Sequence, residues 1–415
     1  MKTRRSLFTW SVIGFASLVM MSCSLLSGAP ATVTAIAPAA SPAIQSSPVP
    51  TETLTGPALS HFAAGQKISI TYIHMVSQSV GWGIGGQAGA SDHVFRSQDG
   101  GETWHDVTPP ETAPLLGGQT QGTGYFQDAS NGWVVYAPGK GAAVPKSVRI
   151  WFTRDGGATW QYSGLDTSAL PEYFDPSAML FIDGQNGWIL AHLGGGMNYD
   201  FVAIVRTEDD GASWTIANDP NNDAAGLHSC TKTGMAFIDP QNGWLSLDCR
   251  GADPVPHMFR TSDGGATWQR VDLAAPAGVP DLFSTSACGL YTPVLSSAAS
   301  GVFPMRCLDN ATSKVEQDYL YWTSDAGKSW QTAAYPGGEL LFFGQQGLAL
   351  GHTISGTGDG GRTWTKKLTV SWEGQFSFID AQQGWAVATN LGAIALVKTA
   401  DGGGSWEQLH PLVAP

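Results

Sequence analysis

The stretch Thr261-Ser262-Asp263-Gly264-Gly265-Ala266-Thr267-Trp268 is one of seven copies of a single pattern. The others begin at Ser97 (SQDGGETW), Thr153 (TRDGGATW), Thr207 (TEDDGASW), Thr323 (TSDAGKSW), Thr357 (TGDGGRTW) and Thr399 (TADGGGSW). All seven fit Ser/Thr-x-Asp-x-Gly-x-Ser/Thr-Trp. The pattern contributes Asp99, Asp155, Asp209, Asp263, Asp325, Asp359 and Asp401. It also contributes Trp104, Trp160, Trp214, Trp268, Trp330, Trp364 and Trp406. Such an octet is a tight turn between two strands. The Asp carboxylate accepts hydrogen bonds from backbone N–H groups a few residues on. The Gly two residues later supplies a positive φ that a Cβ would resist. The Trp opens the next strand and brings a large ring to pack against a neighbouring unit. These aspartates are therefore read as turn-formers.

Each octet is preceded by a second signature. Gly81-Trp82, Gly132-Trp133, Gly187-Trp188, Gly243-Trp244 and Gly384-Trp385 stand upstream, with weaker versions at Gly301-Val302-Phe303 and Gly347-Leu348. Ahead of several lies an aromatic-x-Asp turn, as in Phe126-Gln127-Asp128, Phe181-Ile182-Asp183, Phe237-Ile238-Asp239 and Phe378-Ile379-Asp380. The unit reads strand A, turn, Gly-Trp strand B, loop, strand C, octet, strand D. In the last copy these are residues 375–380, 384–389, 393–398 and 405–410. Four short strands repeated radially make a propeller blade. The expected fold is all-β, a seven-bladed β-propeller of four-stranded antiparallel blades over residues 61–415.

Successive octet tryptophans are 56, 54, 54, 62, 34 and 42 residues apart. Four strands with tight turns need only about 35–45, so blades two to five carry insertions. Antiparallel strands put the D–A and B–C connections on one face, and the A–B turns and octets on the other. The long stretches are D–A (109–125, 164–178, 218–233, 274–292) and B–C (137–147, 193–200, 251–257, 308–316). Function concentrates on loops carried by a rigid scaffold, so the long-loop face is the expected binding surface. Its candidates are Tyr125, Tyr173, His192, Tyr199, Asp200, Asp223, His228 and Tyr291. The oxygens at 219–223 lack the full EF-hand pattern, and no metal or cofactor is expected.

Cys230 and Cys249 are 19 residues apart, and so are Cys288 and Cys307. In each pair one Cys opens strand A and the other ends strand B, which brings them together on the long-loop face. Of three possible connectivities, Cys230–Cys249 and Cys288–Cys307 are expected. Each would contribute about 3 kcal/mol in the chain-entropy description. A zinc site is the rival, but the short Cys-x-x-Cys spacing is missing.

Residues 1–22 form a targeting segment, with a basic head of Lys2, Arg4 and Arg5 and an apolar run from 7 to 21. Met20-Met21-Ser22-Cys23 resembles a bacterial lipoprotein signal in which Cys23 is lipidated; an ordinary secretory signal is the alternative. Residues 23–60 are rich in Ala, Pro, Ser and Thr with almost no charge, a tether. The expected location is outside the cytoplasm, anchored to a membrane. Without residues 1–22 the chain carries 18 basic against 34 acidic residues, a net of −16. That balance argues against nucleic acid as a partner. A monomer is expected.

The octets resemble the Asp boxes of BNR-type β-propellers. Two enzyme groups use them. Sialidases need an arginine triad and a Tyr–Glu pair, and their Arg-Ile-Pro-like motif is missing ahead of Ser97, where only Val94-Phe95-Arg96 stands. Xyloglucan-cleaving endo-glucanases pair two propellers around a cleft, and this chain has one. The grammar of Phe-x-Asp, Gly-Trp and box Trp over 66–412 resembles single propellers of the photosystem II assembly/stability factor type. That resemblance implies a non-enzymatic, membrane-anchored binding or assembly scaffold with a protein partner. It also implies an arginine-rich patch, from which this acidic chain departs. A carbohydrate-active propeller, hydrolase or glycan binder, is the alternative. No phosphate loop, nucleophile elbow or zinc motif is present.

Overall fold

Each box folds into the turn its residues dictate. The Thr261 hydroxyl donates to Asp263 Oδ1 at 2.8 Å, and the Thr267 N–H donates to the same oxygen at 2.9 Å. The Thr267 hydroxyl takes Oδ2, and the Gly265 N–H donates to Thr261 Oγ1 at 3.0 Å. One carboxylate thus fastens both ends of the turn. The same set recurs from Asp99 to Asp401. The backbone turns left-handed at two successive residues, Gly264 (φ 74°) and Gly265 (φ 98°). Asp210 (φ 63°) and Ala326 (φ 60°) hold the first of these positions in the third and fifth boxes, where a Cβ is strained.

The computed structural model describes residues 58–111, 121–137, 146–170, 173–196, 199–218, 220–221, 226–249, 253 and 255–415. Cys23 and Asp223 lie outside them. Seven antiparallel four-stranded units follow one another. The first is Ser69–Met75, Gly81–Gly86, His93–Ser97 and Thr103–Asp106. The last is Glu373–Phe378, Gly384–Asn390, Ala393–Thr399 and Glu407–Leu409. Blades four and five are joined through the Asp248–Gly289 pair.

Two expected B–C loops are strands instead. Gly187–Gly196 pairs with Tyr199–Thr207, and Gly301–Asp309 with Val315–Thr323, as hairpins that run past the blade. The glycine run 194–196 reads as a loop. It serves a bulge between His192 and Gly195, where a Cβ on Gly195 would meet Tyr199 O at 2.5 Å. In blade five strand A is broken into Ser286–Leu290 and Val294–Leu295. Pro304 in the neighbouring strand has no N–H for the ladder, and Tyr291 N–H donates to Pro304 O across the break.

The tryptophans of the Gly-Trp signature seal the blades. Trp82, Trp133, Trp188 and Trp385 are fully buried. Each indole N–H donates to a backbone carbonyl of the next blade: Asp128, Asp210, Gly264 and Gly100 in turn. Trp188 stacks on Phe237 at 3.9 Å and Trp133 on Phe181 at 4.1 Å. The box Trp was expected to reach a neighbouring unit. Trp160 does so, its indole N–H donating to Val107 O of blade one at 2.6 Å, and Trp330 and Trp364 meet Trp244 and Tyr335 of the preceding blades, while Trp214, Trp268 and Trp406 meet Phe181, Phe237 and Phe378 of their own blades edge-on. The strand B indoles thus reach forward to the next blade, and three box indoles reach back to the preceding one.

The ring closes between blades one and seven. Trp385 donates into the first box, and Ile73 and Met75 N–H groups donate to Gln375 Oε1 and Ser377 Oγ, both at 2.8 Å. Each of these two blades takes its four strands from one continuous stretch, and Leu412–Val413 adds a fifth to blade one, parallel to the outer strand Thr103–Asp106. Residues 65–68 flank it on the other side, with Val413 N–H donating to Gln66 O. Val413 and Ala414 are buried there, so apolar burial drives the added pairing.

Candidate functional site

The box face is taken up by its own architecture. The seven carboxylates are bound within their turns. Five arginines on that side are engaged as well. Arg96, Arg206 and Arg260 lie over the Trp82, Trp188 and Trp244 rings of their own blades. Arg96 Nε donates to Ala129 O and Arg206 Nη2 to Pro240 O in the next blade. Arg154 covers Trp133 at 4.5 Å and pairs with Asp210 at 2.6 Å. Arg362 sits in its own box and donates to Asp359 O. The remaining described arginines pair with carboxylates: Arg149 with Glu111, Arg270 with Asp253 and Asp272, and Arg306 with Asp318. Among the described residues the arginines are thus dispersed, each with its own partner. This is the physical form of the departure from an arginine-rich patch.

On the opposite face the structure gathers four of the expected residues where blades three and four meet. His192 Nδ1 lies 2.7 Å from Asp200 Oδ1. Asp200 Oδ2 accepts the Lys232 N–H at 2.8 Å. Lys232 Nζ, buried, donates to the carbonyls of Asp200, Ser229 and Cys230. The lysine therefore fastens the long hairpin of blade three to the entry of blade four. Tyr199 (59% exposed) and Phe201 (40% exposed) stand outward on that hairpin, their rings 6.3 Å apart. The buried ring of His228 lies 4.8 Å from Phe201. Tyr173 is exposed and donates to Asp175 Oδ2. Tyr125 belongs elsewhere: its hydroxyl donates to Phe181 O and its ring packs on Phe181, so it is an inter-blade contact.

Tyr291 leads to a second feature. The break in blade five opens a groove of about 440 Å³ toward blades six and seven. Tyr291, Arg306, Glu339, Leu340, His352 and Glu373 line it. Arg306 covers the Tyr291 ring at 5.5 Å and reaches Asp318 at 3.3 Å. Burial pushes the Asp318 carboxyl up despite that long ion pair. Burial also pushes Glu339 up to about 7. Water still reaches the Glu339 side chain, which is exposed; protein surrounds it without sealing it. His352 Nε2 pairs with Glu373 at 2.7 Å, both exposed. A carboxyl raised this far titrates near neutrality, so the charge of the groove depends on pH in that range.

Sequence reasoning missed Arg306, Asp318, Glu339, His352 and Glu373. The available signal was positional. Glu339 and Glu373 open strand A of blades six and seven, and a polar residue there stands at the groove rather than in a sheet interface.

Both cysteine pairs are bonded, Cys230–Cys249 with Cα atoms 4.7 Å apart and Cys288–Cys307 at 4.1 Å. They staple the tops of blades four and five.

A BNR/Asp-box repeat family model matches residues 95–106, spanning the first box. No curated protein sequence matches the chain. A puromycin-hydrolysing peptidase of Mycobacterium tuberculosis shares the fold, with a TM-score of 0.51 and 11% identity over 85% of this chain and 57% of that one. YCF48 bound to D1 peptide aligns with a TM-score of 0.48 and 15% identity over 85% of this chain and 99% of that one. The GH74 xyloglucanase of Xanthomonas campestris aligns at 0.37 and 12%, over 84% and 68%. At such identities the likeness carries the fold and not the function.

Proposed function

We propose that this chain is a lipid-anchored, extracytoplasmic propeller acting as a non-enzymatic binding or assembly scaffold for a membrane or cell-envelope protein. The observation that carries the reading is the asymmetry of the two faces. Box-face carboxylates and arginines are engaged in holding blades together, whereas the opposite face presents the mixed-charge groove beside Tyr291 and the exposed Tyr199–Phe201 pair. Aromatic rings ringed by charge suit a protein surface. Cys23 would carry the lipid, and the tether would let the disc search for its partner.

Capture from detergent-solubilised membranes tests this, run beside a screen on fluorogenic sialosides and β-glucans. A reproducible membrane-protein partner without turnover supports the scaffold. Turnover lost on replacing Glu339 or Asp318 replaces it with the second reading, a glycan-active propeller. That reading rests on the two raised carboxyls beside one groove.

A further inference from the structure

Blades four and five carry disulfides of identical spacing, yet their surroundings differ. Beside Cys230–Cys249 stands His257, fully buried at the start of strand His257–Thr261. Its Nδ1 and Nε2 lie 3.8 and 3.9 Å from Cys249 Sγ. Nδ1 is also 3.1 Å from Val255 O and 3.7 Å from Asp253 Oδ2. With Nδ1–H donating to that carbonyl, Nε2 keeps its lone pair. Burial lowers the His257 pKa and keeps the ring neutral. The ligand atoms of Cys230, Cys249 and His257 all lie within 4.8 Å of one another. Among the described residues this is the one such trio, and Cys288–Cys307 has no counterpart.

Two thiolates and an imidazole are zinc chemistry. Ligands about 2.3 Å (sulfur) and 2.0–2.1 Å (nitrogen) from a tetrahedral ion put the two sulfurs about 3.7 Å apart, so opening the Cys230–Cys249 bond lets the sulfurs separate while His257 Nε2, 3.9 Å from Cys249 Sγ, stays close by. We propose that Cys230, Cys249 and His257 form a redox-gated zinc site: a disulfide staple when oxidised, a metal staple when reduced. A dithiol reductant closes its own disulfide as the Cys230–Cys249 bond opens to two thiols. Zn²⁺ then displaces both thiol protons to solvent and takes the His257 Nε2 lone pair. Solvent completes the tetrahedron, and the Nδ1–H bond to Val255 fixes the ring. Either crosslink ties strand A to strand B at one place. It also holds the Cys230 backbone, left-handed at φ 58°, whose carbonyl receives Lys232 Nζ. The state of the staple thereby bears on the His192–Asp200–Lys232 junction.

The test uses the whole chain, reduced anaerobically with a phosphine, which takes water oxygen as phosphine oxide and leaves two thiols per bond. Cobalt(II) serves as the optical probe. The expected result is one equivalent bound with the visible bands of tetrahedral thiolate cobalt, displaced by zinc, and none in the oxidised protein. His257→Ala weakens binding by more than about tenfold, while the Cys288→Ser/Cys307→Ser variant binds like wild type. A reduced protein without those bands, or bands unchanged by His257→Ala, overturns the proposal. So does a reduced chain that unfolds and is not restored by zinc.

Discussion

The two faces of the disc are built from the same strands and spend their polar residues differently. On the box face a carboxylate, two hydroxyls and a glycine close each turn, and arginines lie over indoles and bind the next blade. On the other face the hairpins overrun the blades, strand A of blade five breaks, and charged side chains surround open space. Repetition satisfies every blade in the same way, so it favours structure. Departures from repetition leave groups whose partners are not set by the repeat.

The largest test of that contrast is at the seam between blades. Trp188→Ala removes a fully buried ring stacked on Phe237 and an indole bond to Gly264 O. It should cost about 3–5 kcal/mol in urea unfolding. A loss under about 1 kcal/mol contradicts the sealing role. Next is the box itself. Asp263→Ala leaves the Thr267 N–H and two hydroxyls without their acceptor and should cost about 1–3 kcal/mol, with partner capture unchanged.

Acid should act on the box face as a set. The Ser329 hydroxyl and N–H hold Asp325 at about 2. At Asp401 burial pushes upward, yet bonds from Ser405 and Thr399 prevail and hold it at about 2. Unfolded carboxyls titrate near 3.9, so the unfolded chain takes up protons first. This stabilisation is whole above about pH 4 and is lost as pH falls toward 2. Urea midpoints measured across that window should drop, and a flat profile counts against the network. Glu339 has the opposite sign. Raised to about 7, it erodes stability as pH climbs from about 4 to 7, by an amount that its exposure to solvent reduces. Glu339→Gln should flatten that slope. The smallest effect is Ala326→Gly, which relieves a left-handed alanine and should add about 0.5 kcal/mol after the entropy cost of glycine. Destabilisation there would mean that Ala326 packs usefully.

What the sequence disclosed follows the same division. Asp263 and its six counterparts, Trp188 and its kin, and the cysteine spacing are local or periodic signals, and each corresponds to a local turn, a repeated contact or a hairpin. Non-repeating features were less legible. The glycines 194–196 read as a loop because composition cannot distinguish a bulged hairpin from one. Val413 and Ala414 find their burial against residues some 300 positions earlier, beyond any local pattern. Glu339 carries no motif at all; its character comes from the groove that residues of blades five and seven complete around it. Tyr125 looked like a loop aromatic because its hydroxyl partner, Phe181 O, belongs to the next blade.

The most direct test is quantitative capture of the proposed membrane partner by three proteins in parallel: wild type, Tyr291→Ala/Glu339→Gln on the loop face, and Asp263→Ala on the box face. The account predicts that the loop-face variant stays folded and recovers less partner by about tenfold or more, while Asp263→Ala recovers as much per folded molecule as wild type. Full recovery by the loop-face variant together with loss in Asp263→Ala would contradict it and make the box face the working surface.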